Sequence, residues 1–255
     1  MKRREAVVPH ILLDTKAPIP FPEAQVTIYQ PSIKEIGMSG EPKILVGVNA
    51  ISNIQDNSIT SQMSNFEIFM TVIQEKSEKN KQVFEAVEDV LYLLFPEYKI
   101  GFTPRSIILQ KDGQVSMIDT NNFDKFGQIL YDMFCLAEFA GEMQTDYNPS
   151  GDRARAIIEK FKKKHEYLAE LRKERGEDTE MDSIYCRYID VLAVGEHKDK
   201  NLLSDYSVFQ LVEEFKRFQL KETFDYTFQA KMAGATKIKD AKDWMGPIKF
   251  GDDDD

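Results

Sequence analysis

Residues 204–245 read SDYSVFQLVEEFKRFQLKETFDYTFQAKMAGATKIKDAKDWM, the densest run of large side chains in the chain. Only a helix sorts this run into an apolar and a charged side. Val208, Leu211, Val212, Phe215 and Phe218 recur at spacings of three and four, which places them on one face. Glu213, Glu214, Lys216 and Arg217 take the other face. Ser207 followed by Gln210 has the form of a capping box, in which each side chain bonds an orphan amide of the first turn. Past Thr223 the stripe resumes with Phe224, Phe228 and Met232, and Gly234 supplies a stop that tolerates positive φ. A last short turn carries Trp244, the only tryptophan, and Met245. The stretch has aromatic bulk and charge but no reactive group, so it suits packing or the docking of another protein.

Upstream, residues 25–29 and 43–48 are β-prone runs separated by Pro31, Gly37, Gly40 and Pro42, which predicts a hairpin or short meander. Residues 49–62 are polar and read as loop. Ser64 with Glu67 is a second capping box, opening a helix that turns Phe66, Phe69, Met70 and Ile73 inward. The next helix spans about 79–94, with Val83, Val87, Val90, Leu91 and Leu94 on one face and Pro96 ending it. Two short apolar runs, 106–109 and 115–118, flank Asp112-Gly113, the dipeptide that supplies the φ angles of a tight hairpin. Asn122 is placed to cap a helix burying Phe123, Phe126, Ile129, Leu130 and Met133.

The polar segment 145–152 marks a boundary, with Asn148-Pro149 as a helix start. Residues 153–175 then form a long helix with a narrow stripe of Ile157, Ile158, Phe161, Leu168 and Leu171. Lys160, Lys162, Lys163 and Lys164 cluster there, interleaved with Glu159, Glu166, Glu170 and Glu174. The bland reading is a solvated connector, and the sharper one an electrostatic arm for nucleic acid that those glutamates blunt. A helix over 183–194 closed by Gly195 and a charged loop over 196–203 lead into the aromatic stretch. The expected fold is α+β: N-terminal strands and hairpins covered by helices, then a mostly helical C-terminal half. The expected units are 1–145, a connector at 146–182, a helical unit at 183–250 and an acidic tail at 251–255.

Composition narrows the chemistry. A net charge of −10, four of it from the terminal aspartates 252–255, repels nucleic-acid phosphate on average. That tail reads as a solubilising end, with mimicry of an anionic ligand as its sharper alternative. No apolar run reaches the ~18 residues of a membrane helix, and the MKRREAVVPHILLD start reads as an N-terminal arm rather than a secretory signal. Cys135 and Cys186 lie apart among apolar residues and read as two buried thiols in a reducing compartment. His10, His165 and His197 are isolated from one another and from the cysteines, so they offer neither a zinc set nor a base for a nucleophile. Glu85, Glu88 and Asp89 sit opposite an apolar stripe, as a wet face does. There is no phosphate-binding glycine motif. The expectation is a protein without catalytic residues, metal or cofactor, in which Phe224, Tyr226, Phe228 and Trp244 serve a partner surface while Phe215 and Phe218 belong to the core.

The segments IDTNNFDKFGQILYDMFCL (118–136), NPSGDRARAIIEKFKKK and DVLAVGEHKDKNLLSDYSVFQLVEEFKRFQLKETFDYTFQAKMAGATKIKDAKDWM (190–245) resemble tail-assembly proteins of tailed bacteriophages, especially those of Gram-positive hosts. Residues 28–40 bear a fainter likeness to T4-like base-plate hub assembly proteins. The resemblance implies a tail assembly chaperone that holds tail or base-plate subunits, such as the tape measure protein, in the host cytoplasm during phage assembly. Its alternative is a base-plate component kept in the virion tail. It implies no small-molecule substrate and no membrane, and leaves homo-oligomerisation open.

Overall fold

The computed structural model describes residues 7–52, 63–74, 78–143, 183–234, 240–246 and 248. The boundary at 145–152, the basic helix with its lysine cluster and His165, the break after it, and the acidic tail lie outside the described residues.

A short helix α1 (His10–Asp14) leads into a two-stranded hairpin, β1 (Ile19–Phe21) against β2 (Val26–Ile28), with Ile19 opposite Ile28. Four helices follow: α2 (Ile33–Ser39), α3 (Glu41–Ser52), α4 (Asn65–Gln74) and α5 (Glu78–Leu94). Then comes an antiparallel sheet of β3 (Lys99–Thr103), β4 (Ser106–Lys111) and β5 (Gln114–Asp119), in that spatial order. Five helices complete the described chain: α6 (Phe123–Met133), α7 (Leu136–Met143), α8 (Ile184–Gly195), α9 (Lys200–Ser204) and α10 (Val208–Met232). This is the expected α+β order of strands covered by helices, then a helical half. One hydrophobic core runs through both, taking Phe21, Phe95 and Phe126 from the first and Leu203, Val208, Leu211 and Val212 from the second.

Two expected elements take another form. The run at 43–48 is not a strand but part of α3, which also absorbs the start of the expected loop, as far as Ser52. Ile44, Val48 and Ile51 are all buried, so the helical period shows only when the run is read three residues further. Pro42 falls in the first turn, where a missing amide is harmless. The hairpin partner of β2 lies upstream instead, at β1. The expected charged loop at 196–203 contains α9, capped by Asp199, whose side chain accepts from the Asn201 amide at 2.7 Å.

α3 and α5 pack at very close range because of Gly47. A β-carbon built there would sit 2.7 Å from the Ala86 carbonyl carbon and 2.8 Å from Val90 Cγ2. Lys43 pairs with Asp89 at 2.6 Å across the same contact, so one of the expected wet-face carboxylates ties two helices together. Phe126 of α6 stacks between Phe21 and Phe95 at 5.9 and 6.0 Å, while Phe123 meets Phe66 and Phe69 at 5.3 and 4.8 Å. Each such pair adds about 0.5–1.5 kcal/mol beyond area burial.

The hairpin at Asp112-Gly113 forms as read, with φ of 51° and 82° at the two turn residues. Asn122 precedes α6, but its side chain makes no cap bond. It is buried and bonds along the outer edge of β5 instead. Its Oδ1 accepts from the Asp119 amide at 2.9 Å, and its Nδ2 donates to the Met117 carbonyl at 3.0 Å. A two-residue turn fixes which β5 groups face outward, and Met117 O and Asp119 N are among them. Asn122 therefore occupies part of the strand edge as a neighbouring strand would. Of the two cysteines, Cys135 is buried, with its thiol pushed up by burial, whereas Cys186 is exposed on α8, against expectation. Cys186 lies on the wet side of an amphipathic helix whose buried residues are Tyr185, Ile189 and Leu192.

The N-terminal segment is clamped by Asp132 of α6, whose Oδ2 accepts from the Val7 and Val8 amides at 2.7 and 3.2 Å. Burial pushes this carboxyl above its ordinary range, and the two amides and His10 only partly offset that. A raised folded pKa means that the ionised group opposes folding above that pKa, and that this penalty fades as pH falls through it. Asp132→Asn, which keeps one acceptor and no charge, is expected to match or exceed the parent in urea unfolding at pH 7, with the gap closing in acid. Asp132→Ala leaves two amides unpaired and is expected to lose about 1–3 kcal/mol. Gly47→Ala is expected to lose about 1–3 kcal/mol in the same measurement, because backbone on α5 must give way.

Candidate functional site

α10 has a locked base and an uncovered end. At the base the Ser207–Gln210 capping box forms as read: the Ser207 hydroxyl accepts from the Gln210 amide and the Gln210 side chain returns the bond. A second box, Ser32–Glu35, starts α2 alongside it. Ser32 and Ser207 are bridged antiparallel, and the Ile33 amide donates to Tyr206 O at 2.9 Å. Gln210 Nε2 reaches Asp14 O at 2.6 Å, Lys16 Nζ reaches Asp205 O at 2.7 Å, and His10 meets the Phe209 ring edge-on at 4.9 Å. Burial pushes the Glu35 carboxyl up. The Ser32 amide and hydroxyl, with Lys16 and Tyr29, outweigh it and hold Glu35 below its usual value. Burial lowers Lys16, partly offset by Glu35 and Asp205.

The next turns lean on α7 and α8. Phe215 stacks flat on Tyr188 at 3.9 Å between centroids. Phe218 fills the space over Gly195, where a β-carbon would stand 2.6 Å from its Cε2. Both phenylalanines are half-buried and packed on the core, as expected of them. Lys216 pairs with Glu138, and Lys198 with Glu214 and, at 3.1 Å, Glu196.

Beyond Val212, the last buried residue of α10, the helix continues to Met232. That is about 30 Å of helix at 1.5 Å per residue. Phe224 is 36% exposed, Phe228 58% and Tyr226 67%. At about 100° per residue, Phe224 and Phe228 share a face, which Met232 extends, while Tyr226 lies about 160–200° round the axis. The four residues expected to form one surface therefore fall in three places. Trp244 is on neither face of the helix. It sits half-buried in a returning segment, 240–246, and its carbonyl accepts from Arg217 Nη1 at 2.9 Å. Lys231 pairs with Asp240 at the start of that segment. Arg217 also holds Glu213, with Nε to Oε1 at 3.0 Å. The sequence placed Arg217 only on the charged face and marked neither Lys231 nor Asp240, since contacts to a segment beyond the helix leave no periodic trace. The helix stops as read, with Gly234 at φ 94°.

Among the described residues, no group of three or more His, Cys, Asp or Glu side chains is placed to hold a metal ion, and no helix is long and apolar enough to cross a membrane. His10 lies on α1, 3.8 Å from Asp14, and His197 occupies a positive-φ position before α9. A small cleft of about 230 Å³ between the N-terminal segment and α6 is lined by Val8, Leu12, Ile19 and Ile129, with Lys125 at its edge. Lys125 is engaged by Glu23.

The contrast between base and end is measurable. Gly195→Ala must displace the Phe218 ring and is expected to lower stability by about 1–3 kcal/mol. Phe224→Ser with Phe228→Ser on the uncovered end is expected to stay within about 0.5 kcal/mol of the parent per site. Thermal and urea unfolding followed by circular dichroism check both.

Comparison with known proteins adds one finding. No curated protein and no solved structure matches the chain. Residues 187–249 match the family model described as the YomV second domain, a phage-derived family. The matched stretch holds most of α8, all of α9 and α10, and the returning segment. The helical unit that carries the exposed aromatic face is thus similar to a phage-derived domain.

Proposed function

We propose that this is a non-catalytic phage tail assembly protein, a chaperone that holds tail or base-plate subunits such as the tape measure protein until assembly begins. The observation that carries this reading is the uncovered apolar face of α10. Phe224 and Phe228 stand out on a long helix whose base is rigidly held. A face of that kind suits helix-to-helix or helix-in-groove docking of an amphipathic segment. The similarity of residues 187–249 to a phage-derived domain supports the setting, as does the resemblance of 190–245 to tail-assembly proteins. In this reading the protein acts in the host cytoplasm and needs neither cofactor nor substrate.

A tagged copy recovered from infected cells is expected to bring down a tail or base-plate protein. The Phe224→Ala, Phe228→Ala variant is expected to lose at least about tenfold in affinity, the effect of removing two interface hot spots, at nearly unchanged melting temperature. Recovery of no tail or base-plate protein, or equal loss of binding and stability, would overturn the reading. Mass analysis of purified virions distinguishes a chaperone, absent from the particle, from a base-plate part that stays in it.

A further inference from the structure

The returning segment 240–246 is tied to α10 at two points, and both lie on the face that carries Phe224 and Phe228. Arg217 Nη1 holds the Trp244 carbonyl at 2.9 Å, and Lys231 pairs with Asp240. At about 100° per residue, Arg217, Phe224, Phe228 and Lys231 fall within about 60° of one another around the helix. The two anchors therefore bracket the aromatic pair, one to each side of it along the axis. Within the segment, Ala241 and Trp244 are half-buried, whereas Asp240, Lys242, Asp243 and Met245 are exposed. Ala241 and Trp244 thus lean inward, while the charged residues and Met245 face outward.

The anchors are of the kind that let go. Lys231 and Asp240 are partly or largely exposed, and an exposed ion pair of this sort is weak and screened by salt. Arg217 is shared with Glu213, so its guanidinium keeps a carboxylate partner when the Trp244 carbonyl leaves. No core side chain of the described segment fixes it: none of its residues is buried.

From this arrangement we infer that the segment 240–246 is a releasable strap that runs beside Phe224 and Phe228, leaving them 36% and 58% exposed, and that it competes with a docking polypeptide for space on that face. The inference rests on the reading of α10 as a docking helix, but the strap itself is testable without any partner. Trp244 is the only tryptophan in the chain, so its fluorescence reports the strap alone.

The full-length chain is compared with an Arg217→Gln, Asp240→Asn variant at equal helix content by circular dichroism. The variant is expected to show red-shifted Trp244 emission and faster acrylamide quenching. Each lost contact should shift the strap about fivefold toward release, the order expected of an exposed charge-assisted contact. Raising the salt concentration should move the parent in the same direction and leave the variant unchanged. An apolar dye should bind the variant more strongly than the parent, and adding Phe224→Ser and Phe228→Ser should abolish that gain. Unchanged emission and quenching in the variant would overturn the strap. A dye gain that survives loss of both phenylalanines would show that the strap covers some other surface. Failure to capture a tail protein would sink the docking reading and leave these optical results standing.

Discussion

The position of everything on α10 depends on two helix starts lying side by side. Each capping box satisfies the orphan amides of its own helix, which any isolated helix would welcome. Here the two boxes are also stitched together by the Ser32–Ser207 bridge and the Ile33–Tyr206 bond. The peptide groups of the first segment close the arrangement, since Asp14 O and Ala17 O are each taken by a glutamine side chain, Gln210 and Gln30 respectively. For the buried members, Gln30, Ser32 and Ser207, a bond is worth little when made and costs a great deal when lost. The junction is therefore restrictive: α10 can leave it in only one direction.

From that fixed origin the helix passes through a gradient. Val208, Phe209, Leu211 and Val212 are buried, Phe215 and Phe218 are half-buried, and Phe224 and Phe228 face outward. Phe224 lies about 160–180° round the axis from Val208 and Phe215, so side chains of similar size do different jobs according to the face they occupy as well as their distance from the anchor. The similarity of 187–249 to a phage-derived domain spans the whole gradient, base and end alike.

Much of this was legible in the chain. Capping boxes at Ser64 and Ser207, the Asp112-Gly113 turn and the long apolar faces of α5 and α6 are local signals, set by neighbours within one or two turns. What escaped was decided at a distance. The run at 43–48 has β-prone residues, but the groove against Ala86 and Val90 admits it only as a helix with Gly47 at the contact. Asn122 has the right place for a cap, yet a strand edge offered its carboxamide two better partners. For the candidate face, the sequence named Phe224 and Phe228, and the structure leaves both exposed. The sequence grouped them with Tyr226, which counting by 3.6 residues per turn already separates, and with Trp244, whose tether to Arg217 no spacing rule foretells.

The Asn122 carboxamide has a further consequence. A bare strand margin is a template on which one copy can recruit the next, and growth of that kind has no natural end. By filling Met117 O and Asp119 N from within the same chain, Asn122 confines the open part of the β5 ladder to the stretch near Val115. One side chain thereby shortens the β5 margin available to another copy.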